Sequence, residues 1–215
     1  MTTAALYASC LIAAYLLGAV PFAFLIARIK GIDIRTVGSG NVGATNVFRC
    51  VGKGWGSLCF ACDAAKGFVP AFFFPMIAQA FLPVPNPDLL KILCAAAAIA
   101  GHNWPVYLKF KGGKGMATSA GSLLGIAWLP VAIALAAWVV VFLIGRYVSV
   151  ASIIAAVVVG VCAWVFPPAP GALLIPVALT LLAALAVVRH KSNIQRLANG
   201  TEHRFEFRKK KEEAK

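Results

Sequence analysis

Charge is what this chain has least of. Only 13% of its 215 residues are Asp, Glu, Lys or Arg, and only 7 are acidic, where a soluble domain carries roughly a quarter charged residues. That shortage excludes an ordinary water-facing surface. Other absences narrow the field further. No G-x-x-x-x-G-K-[S/T] stretch occurs, so nothing supports nucleotide hydrolysis. Cys59 and Cys62 have no matching second pair, and the six cysteines sit mostly in apolar sequence, which reads as small membrane-buried thiols rather than zinc ligands. The first apolar segment, residues 4–27, has no basic leader and no Ala-x-Ala cleavage site and is too long for a secretory signal, so it is expected to remain in the mature protein.

What is abundant is apolar sequence: 61% of residues are hydrophobic and mean hydropathy is +0.86. Apolar runs recur at lengths of about 18 to 25 residues, enough to cross an approximately 30 Å hydrocarbon core as helices. The expected fold is therefore all-α, a polytopic membrane protein. The net charge of +13 falls in few places. Arg28, Lys30, Arg35, Arg49 and Lys53 follow the first apolar segment, Lys109, Lys111 and Lys114 follow residues 89–108, Arg146 stands alone, and a basic tail begins at Arg189. The positive-inside rule assigns all four groups to the cytoplasm, and this placement argues against nucleic acid as the partner.

Loops on one side are separated by an even number of crossings. Residues 55–82 and 89–108 supply two, turning through P-V-P-N-P-D. A hairpin turning at Leu129 and Pro130 supplies two more between Lys114 and Arg146, although its helices of about 14 residues reach only roughly 21 Å. Residues 148–166 and 172–188, joined by P-P-A-P-G, complete about seven transmembrane helices with the N-terminus outside and the C-terminus cytoplasmic. Reading residues 116–144 as one tilted helix would give six and place charge on the wrong side. A single membrane domain over residues 1–206 is expected, followed by a basic, disordered tail over 207–215 that meets anionic headgroups.

Three polar stretches emerge on this same side. The first, G-S-G-N-V-G-A-T-N-V-F-R, offers Ser39, Asn41, Thr45 and Asn46 as hydrogen-bonding groups and Arg49 as a fixed cation, while Gly38, Gly40 and Gly43 allow backbone N–H groups to form an anion-binding concavity. A tight turn accounts equally well for the glycines alone. The second, Gly101 to Gly115, ends in a lysine, Lys114, flanked by Gly112, Gly113 and Gly115; His102 precedes it near the interface, either as a titrating group or as a satisfied donor. The third places His190, Asn193 and Arg196 on one helical face, for a headgroup site or for an interfacial amphipathic helix. Asp63 and Lys66, at i and i+3 within an apolar span, form an ion pair or orient the loops above them.

Together these stretches resemble the bacterial membrane-integral glycerol-3-phosphate acyltransferases that use acyl phosphate, over nearly the whole chain. S-G-N-x-G-x-T-N-x-x-R runs from Ser39 to Arg49, G-H-x-x-P followed by F-x-G-G-K-G from Gly101 to Gly115, and H-x-x-N-x-x-R-L-x-x-G-x-E from His190 to Glu202, with D-x-x-K-G at Asp63 to Gly67. Trp104 and Tyr107 replace the more usual Phe, and Lys191 the usual Arg. The resemblance implies transfer of an acyl group from acyl phosphate to the 1-hydroxyl of glycerol 3-phosphate, yielding lysophosphatidate at the cytoplasmic face of the inner membrane. It assigns catalysis to Ser39, Arg49, Lys114, His190 and Asn193. It assigns substrate binding to Gly40, Asn41, Gly43, Thr45, Asn46, His102, Gly112, Gly113, Arg196 and Glu202, with membrane lipid around the site and no cofactor or metal.

The general base stays open among His190, His102 and the acceptor's own phosphate. Nothing in the sequence pairs either histidine with a carboxylate, which favours substrate assistance with His190 as an orienting group. No H-x-x-x-x-D follows any of the histidines, so the histidine-aspartate device of acyl-CoA-dependent acyltransferases is missing. A small-anion transporter is the alternative class, but the polar residues gather at one face rather than at the midplane and no internal repeat is evident.

Overall fold

The structure, a computed structural model, describes residues 2–167 and 171–205. These residues hold helices and no strand: α1 (Thr3–Ala19), α2 (Phe22–Ile29), α3 (Ala44–Cys50), α4 (Lys53–Phe81), α5 (Pro87–Asn103), α6 (Met116–Leu124), α7 (Trp128–Gly145), α8 (Val148–Val165), α9 (Leu174–Arg189) and α10 (Lys191–Ala198). The basic tail of residues 207–215 and most of the 167–171 turn lie outside the described residues.

Small residues set the helix spacing, as packing in lipid demands. α1 and α5 run side by side in the same direction: Tyr7 Oη donates to the Asn86 carbonyl at one end (3.1 Å) and Tyr15 Oη to the Trp104 carbonyl at the other (2.8 Å). Gly18 lies against the Ala98 backbone and Gly101 against the Tyr15 and Ala19 backbone, so neither position has room for a side chain. Gly67 on α4 and Gly121 on α6 bring those helices equally close. α5 starts sharply because Asn86 accepts from the Leu89 N–H (3.0 Å), with Pro87 next and Asp88 in the first turn. Across the second half, Trp138 Nε1 donates to Ser152 Oγ (3.2 Å) and Trp164 Nε1 to Thr180 Oγ1 (3.0 Å), tying α7 to α8 and α8 to α9. Outward faces remain apolar, with Leu143, Ile144 and Leu181 exposed, as lipid contact requires.

Among the described residues, 5 helical segments are long and apolar enough to cross a membrane, counting α1 and α2 as one, and 6 if α9 and α10, bent by 51°, are joined. α6 falls short. Its 9 residues rise only about 13.5 Å. The expected turn at Leu129 and Pro130 lies earlier, at residues 125–127, where Gly125 packs against Phe72 and the Ile126 and Ala127 N–H groups close on the Leu123 carbonyl. Pro130 sits inside the first turn of α7, where a missing N–H has no helical partner to lose. α6 leaves from Lys114, and α7 returns so that the Gly145 and Arg146 carbonyls accept from Arg204 Nε and the Phe205 N–H.

Candidate active site

The end of the bundle where α6 begins and α7 finishes gathers all three polar stretches. The first loop is shaped by Asn46, which is 1% exposed. Its Oδ1 accepts from the Ser39 N–H (3.0 Å), and its Nδ2 donates to the Ile34 (3.0 Å) and Val37 (3.1 Å) carbonyls. Gly38 has positive φ, and a Cβ there would collide with Asn46 and Cys50. Asn46 therefore builds the loop rather than facing outward. Ser39 is exposed and Asn41 reaches the neighbouring pocket. Nearby, Arg35 grips Asp33 through two bonds of 2.9 and 2.7 Å, and this holds the Asp33 carboxyl far below its ordinary range.

The second loop folds back on the end of α5. Gly113 N–H donates to the His102 carbonyl (3.2 Å), and Gly112 and Gly113 press so closely on His102 and Asn103 that a methyl group would clash at either. Gly115, with φ +77°, turns the chain into α6. This places Lys114 half-buried with its Nζ donating to Asn193 Oδ1. Burial first, then the Arg196, Arg49 and Arg189 charges, push the Lys114 ammonium down to about 8, opposed by Glu202.

The third stretch closes the cluster. Glu202, 5% exposed, accepts from Asn193 Nδ2 (2.6 Å), Ser149 Oγ (2.7 Å) and Arg196 Nε (2.8 Å). Burial alone would raise its carboxyl, but these three donors outweigh burial and hold it below the ordinary range. Arg49, at the end of α3, donates to the His203 carbonyl at 3.4 Å and feels Glu202 and Arg196. Arg189 donates to the Gly113 carbonyl and stacks over Trp104, 5.3 Å from the ring centre. His190 is buried, with Nδ1 2.8 Å from the Ala186 carbonyl. A carbonyl only accepts, so Nδ1 carries the proton; burial first, with the Lys114 and Arg189 charges nearby, lowers the basicity of the ring.

Arg49, Lys114, His190, Asn193, Arg196 and Glu202 thus meet although up to 153 positions separate them in sequence (202 − 49). Beside them opens a pocket of about 470 Å³, lined by the polar side chains of Asn41, Lys114, Arg189, Lys191, Ser192 and Gln195 together with Trp104, Leu185 and Val188. Two partners were not foreseen. Ser149 carried only the faint signal of a serine in an apolar span. The other is Asp63, whose Oδ1 lies 3.6 Å from His102 Nδ1, so the expectation that no histidine meets a carboxylate is corrected. His102 stands behind Gly113 rather than on the pocket wall.

Fold and site together define a helical integral-membrane protein whose polar end holds clustered cations next to a pocket lined in part by apolar side chains. The glycerol-3-phosphate acyltransferase family model matches residues 8–200. A glycerol-3-phosphate acyltransferase of Desulforudis audaxviator is 45% identical over 209 residues, covering 91% of this chain and 93% of that protein. One of Thermotoga petrophila is 39% identical over 197 residues, covering 91% and 95%. The solved integral membrane glycerol 3-phosphate acyltransferase PlsY (YgiH), in its glycerol 3-phosphate form, superposes with a TM-score of 0.83 at 38% identity, covering 93% of this chain and 96% of its own. Its lysophosphatidic acid form gives 0.78 at 37%. The chain belongs to the glycerol-3-phosphate acyltransferase family and is an integral-membrane acyltransferase.

Proposed function

We propose that the protein transfers a fatty acyl group from acyl phosphate to the 1-hydroxyl of sn-glycerol 3-phosphate, giving lysophosphatidate and inorganic phosphate at the cytoplasmic face of the inner membrane. The observation that carries this reading is the juxtaposition of Lys114 and Arg189 with Trp104, Leu185 and Val188 in one pocket, with the Arg49 and Arg196 charges close to Lys114. A ligand with phosphate at one end and an alkyl chain at the other fits such a boundary. Both substrates bring phosphate, and the cation cluster answers both. The relatives' names, and the glycerol 3-phosphate and lysophosphatidic acid forms of the solved neighbour, support the acceptor and the product.

In this reaction the acceptor's hydroxyl oxygen bonds to the acyl carbon, the carbon–oxygen bond to phosphate breaks, and inorganic phosphate departs. Lys114 and Arg49 stabilise the charge that develops on the leaving phosphate. Ser39, Asn41, Thr45 and the Gly40 and Gly43 backbone line the acceptor's approach, and Gly112 lets the lysine loop lie close to the substrate. The hydroxyl proton passes to the acceptor's own phosphate dianion. His190 orients: its Nδ1–H is engaged by the Ala186 carbonyl with no carboxylate behind it, leaving Nε2 as a hydrogen-bond acceptor. Acyl phosphate is already activated, so positioning supplies up to about 7 to 11 kcal/mol of the barrier reduction. Glu202 serves the site indirectly, through Asn193 and Arg196.

Alanine at Arg49 or Lys114 is expected to abolish turnover while the purified protein keeps its helical circular dichroism and its elution volume in detergent. Full turnover by both variants would overturn the placement of the site.

A further inference from the structure

Beneath the site lies a buried polar cluster that the reaction as described does not use. Asp63 and Lys66 on α4 are 1% and 3% exposed and pair at 2.8 Å. Lys66 Nζ also donates to the Val20 carbonyl (2.7 Å), at the break that Pro21 makes between α1 and α2. Asp63 Oδ1 faces His102 Nδ1 at 3.6 Å. A small internal cavity of about 10 Å³ is lined by Asp63, Lys66, His102, Val42 and Gly112, so the cluster touches both glycine-rich loops from below.

The other edge of the His102 ring meets the lysine loop. A Cβ on Gly113 would collide with His102 Nε2 and with the Val42 carbonyl, and the Gly113 N–H donates to the His102 carbonyl (3.2 Å). The backbone one residue before Lys114 therefore rests on the imidazole. We infer that Asp63, held by Lys66, is a positioning residue: it fixes the His102 ring, which sets Gly113 and so aims Lys114 at the reacting phosphate.

Stability alone is a poor reason to bury such a pair. Two charges taken out of water cost about as much as their attraction returns, and a well-packed apolar pair of similar size is often as stable or more so. A chain of contacts that ends one residue from a cation whose placement governs charge stabilisation gives the pair a task. Misplacing a catalytic group by about 1 Å costs roughly 100-fold in rate.

The proposal rests on the assignment of Lys114 to the site, so the variants are read beside Lys114→Ala. Asp63→Asn is expected to lower kcat/KM about 100-fold. It should also move the alkaline limb of the pH profile upward, because a loosened loop lets water reach Lys114 and relieves the burial that depresses it. His102→Gln should give the same loss. Asp63→Asn combined with His102→Gln should fall no lower than either alone, since both act along one path. The combined Asp63→Asn and Lys66→Met variant removes both charges; it should recover the thermal midpoint in detergent and still turn over about 100-fold slowly. The brace is overturned if that charge-free variant regains native turnover, if Asp63→Asn leaves the alkaline limb in place, or if the Asp63 and His102 losses multiply to about 10⁴-fold. Full activity in Lys114→Ala would instead sink the site assignment itself.

Discussion

Replacing Glu202 with Gln keeps shape and removes one charge from the centre of the cation cluster. The carboxylate accepts from Asn193, Ser149 and Arg196 at 2.6 to 2.8 Å with only 5% of the side chain exposed. An amide cannot satisfy all three: one of its ends is a donor, and it faces either Asn193 Nδ2 or Arg196 Nε. At least one hydrogen bond to a charged group is lost, about 1.5 to 3 kcal/mol for a site so poorly exposed. If that loss falls on the placement of Asn193 and Arg196 in the transition state, kcat/KM drops roughly 10- to 150-fold. A second readout separates this from simple loss of folded protein. Glu202 raises the Lys114 pKa against burial and the Arg196, Arg49 and Arg189 charges. Without it Lys114 deprotonates more readily, and the alkaline limb of kcat/KM moves to lower pH. Initial rates from about pH 6 to 9.5 in detergent, beside a thermal unfolding curve, measure both. A variant less than about 3-fold impaired, with its alkaline limb unmoved, would refute Glu202 as the organiser of the cluster.

Lys114 itself sets the sign of the native pH dependence. Its ammonium, pushed down to about 8, is charged below that pH and lost above it, so kcat/KM should decline as pH rises through about 8, and Lys114→Arg should remove that decline from the accessible range. Gly113→Ala should abolish turnover, since the new methyl meets the His102 ring and the Val42 carbonyl; native activity would show that the lysine loop is not held where the structure puts it. Asn46→Ala leaves the Ser39 N–H and the Ile34 and Val37 carbonyls without their shared partner. About 2 to 4 kcal/mol of loop stability should go, read as faster proteolysis between residues 31 and 43.

Much of the architecture was legible in the sequence because membrane spans announce themselves by length and apolarity, and because charged loops separated by an even number of crossings must share a side. That logic puts Arg49, Lys114 and Asn193 on one side, and the contact of Lys114 with Asn193 is then a matter of packing. Other features depend on contacts that no periodicity encodes. α6 is cut short by Gly125 against Phe72, so Pro130, five positions further on, does not mark the turn but lies in the first turn of α7. Asn46 looked like a ligand-facing amide and is instead consumed by three backbone bonds. Ser149 gave no sign of reaching Glu202, which lies 53 positions away. Asp63 and His102 sit 39 positions apart (102 − 63) on different helices, so only packing reveals that they meet.

The most direct test of the central claim is donor specificity in the purified protein. Given glycerol 3-phosphate and a long-chain acyl phosphate in detergent, it should release inorganic phosphate and lysophosphatidate in equal amounts, and it should be inactive with the matching acyl-CoA. Turnover with acyl-CoA but none with acyl phosphate would contradict the account.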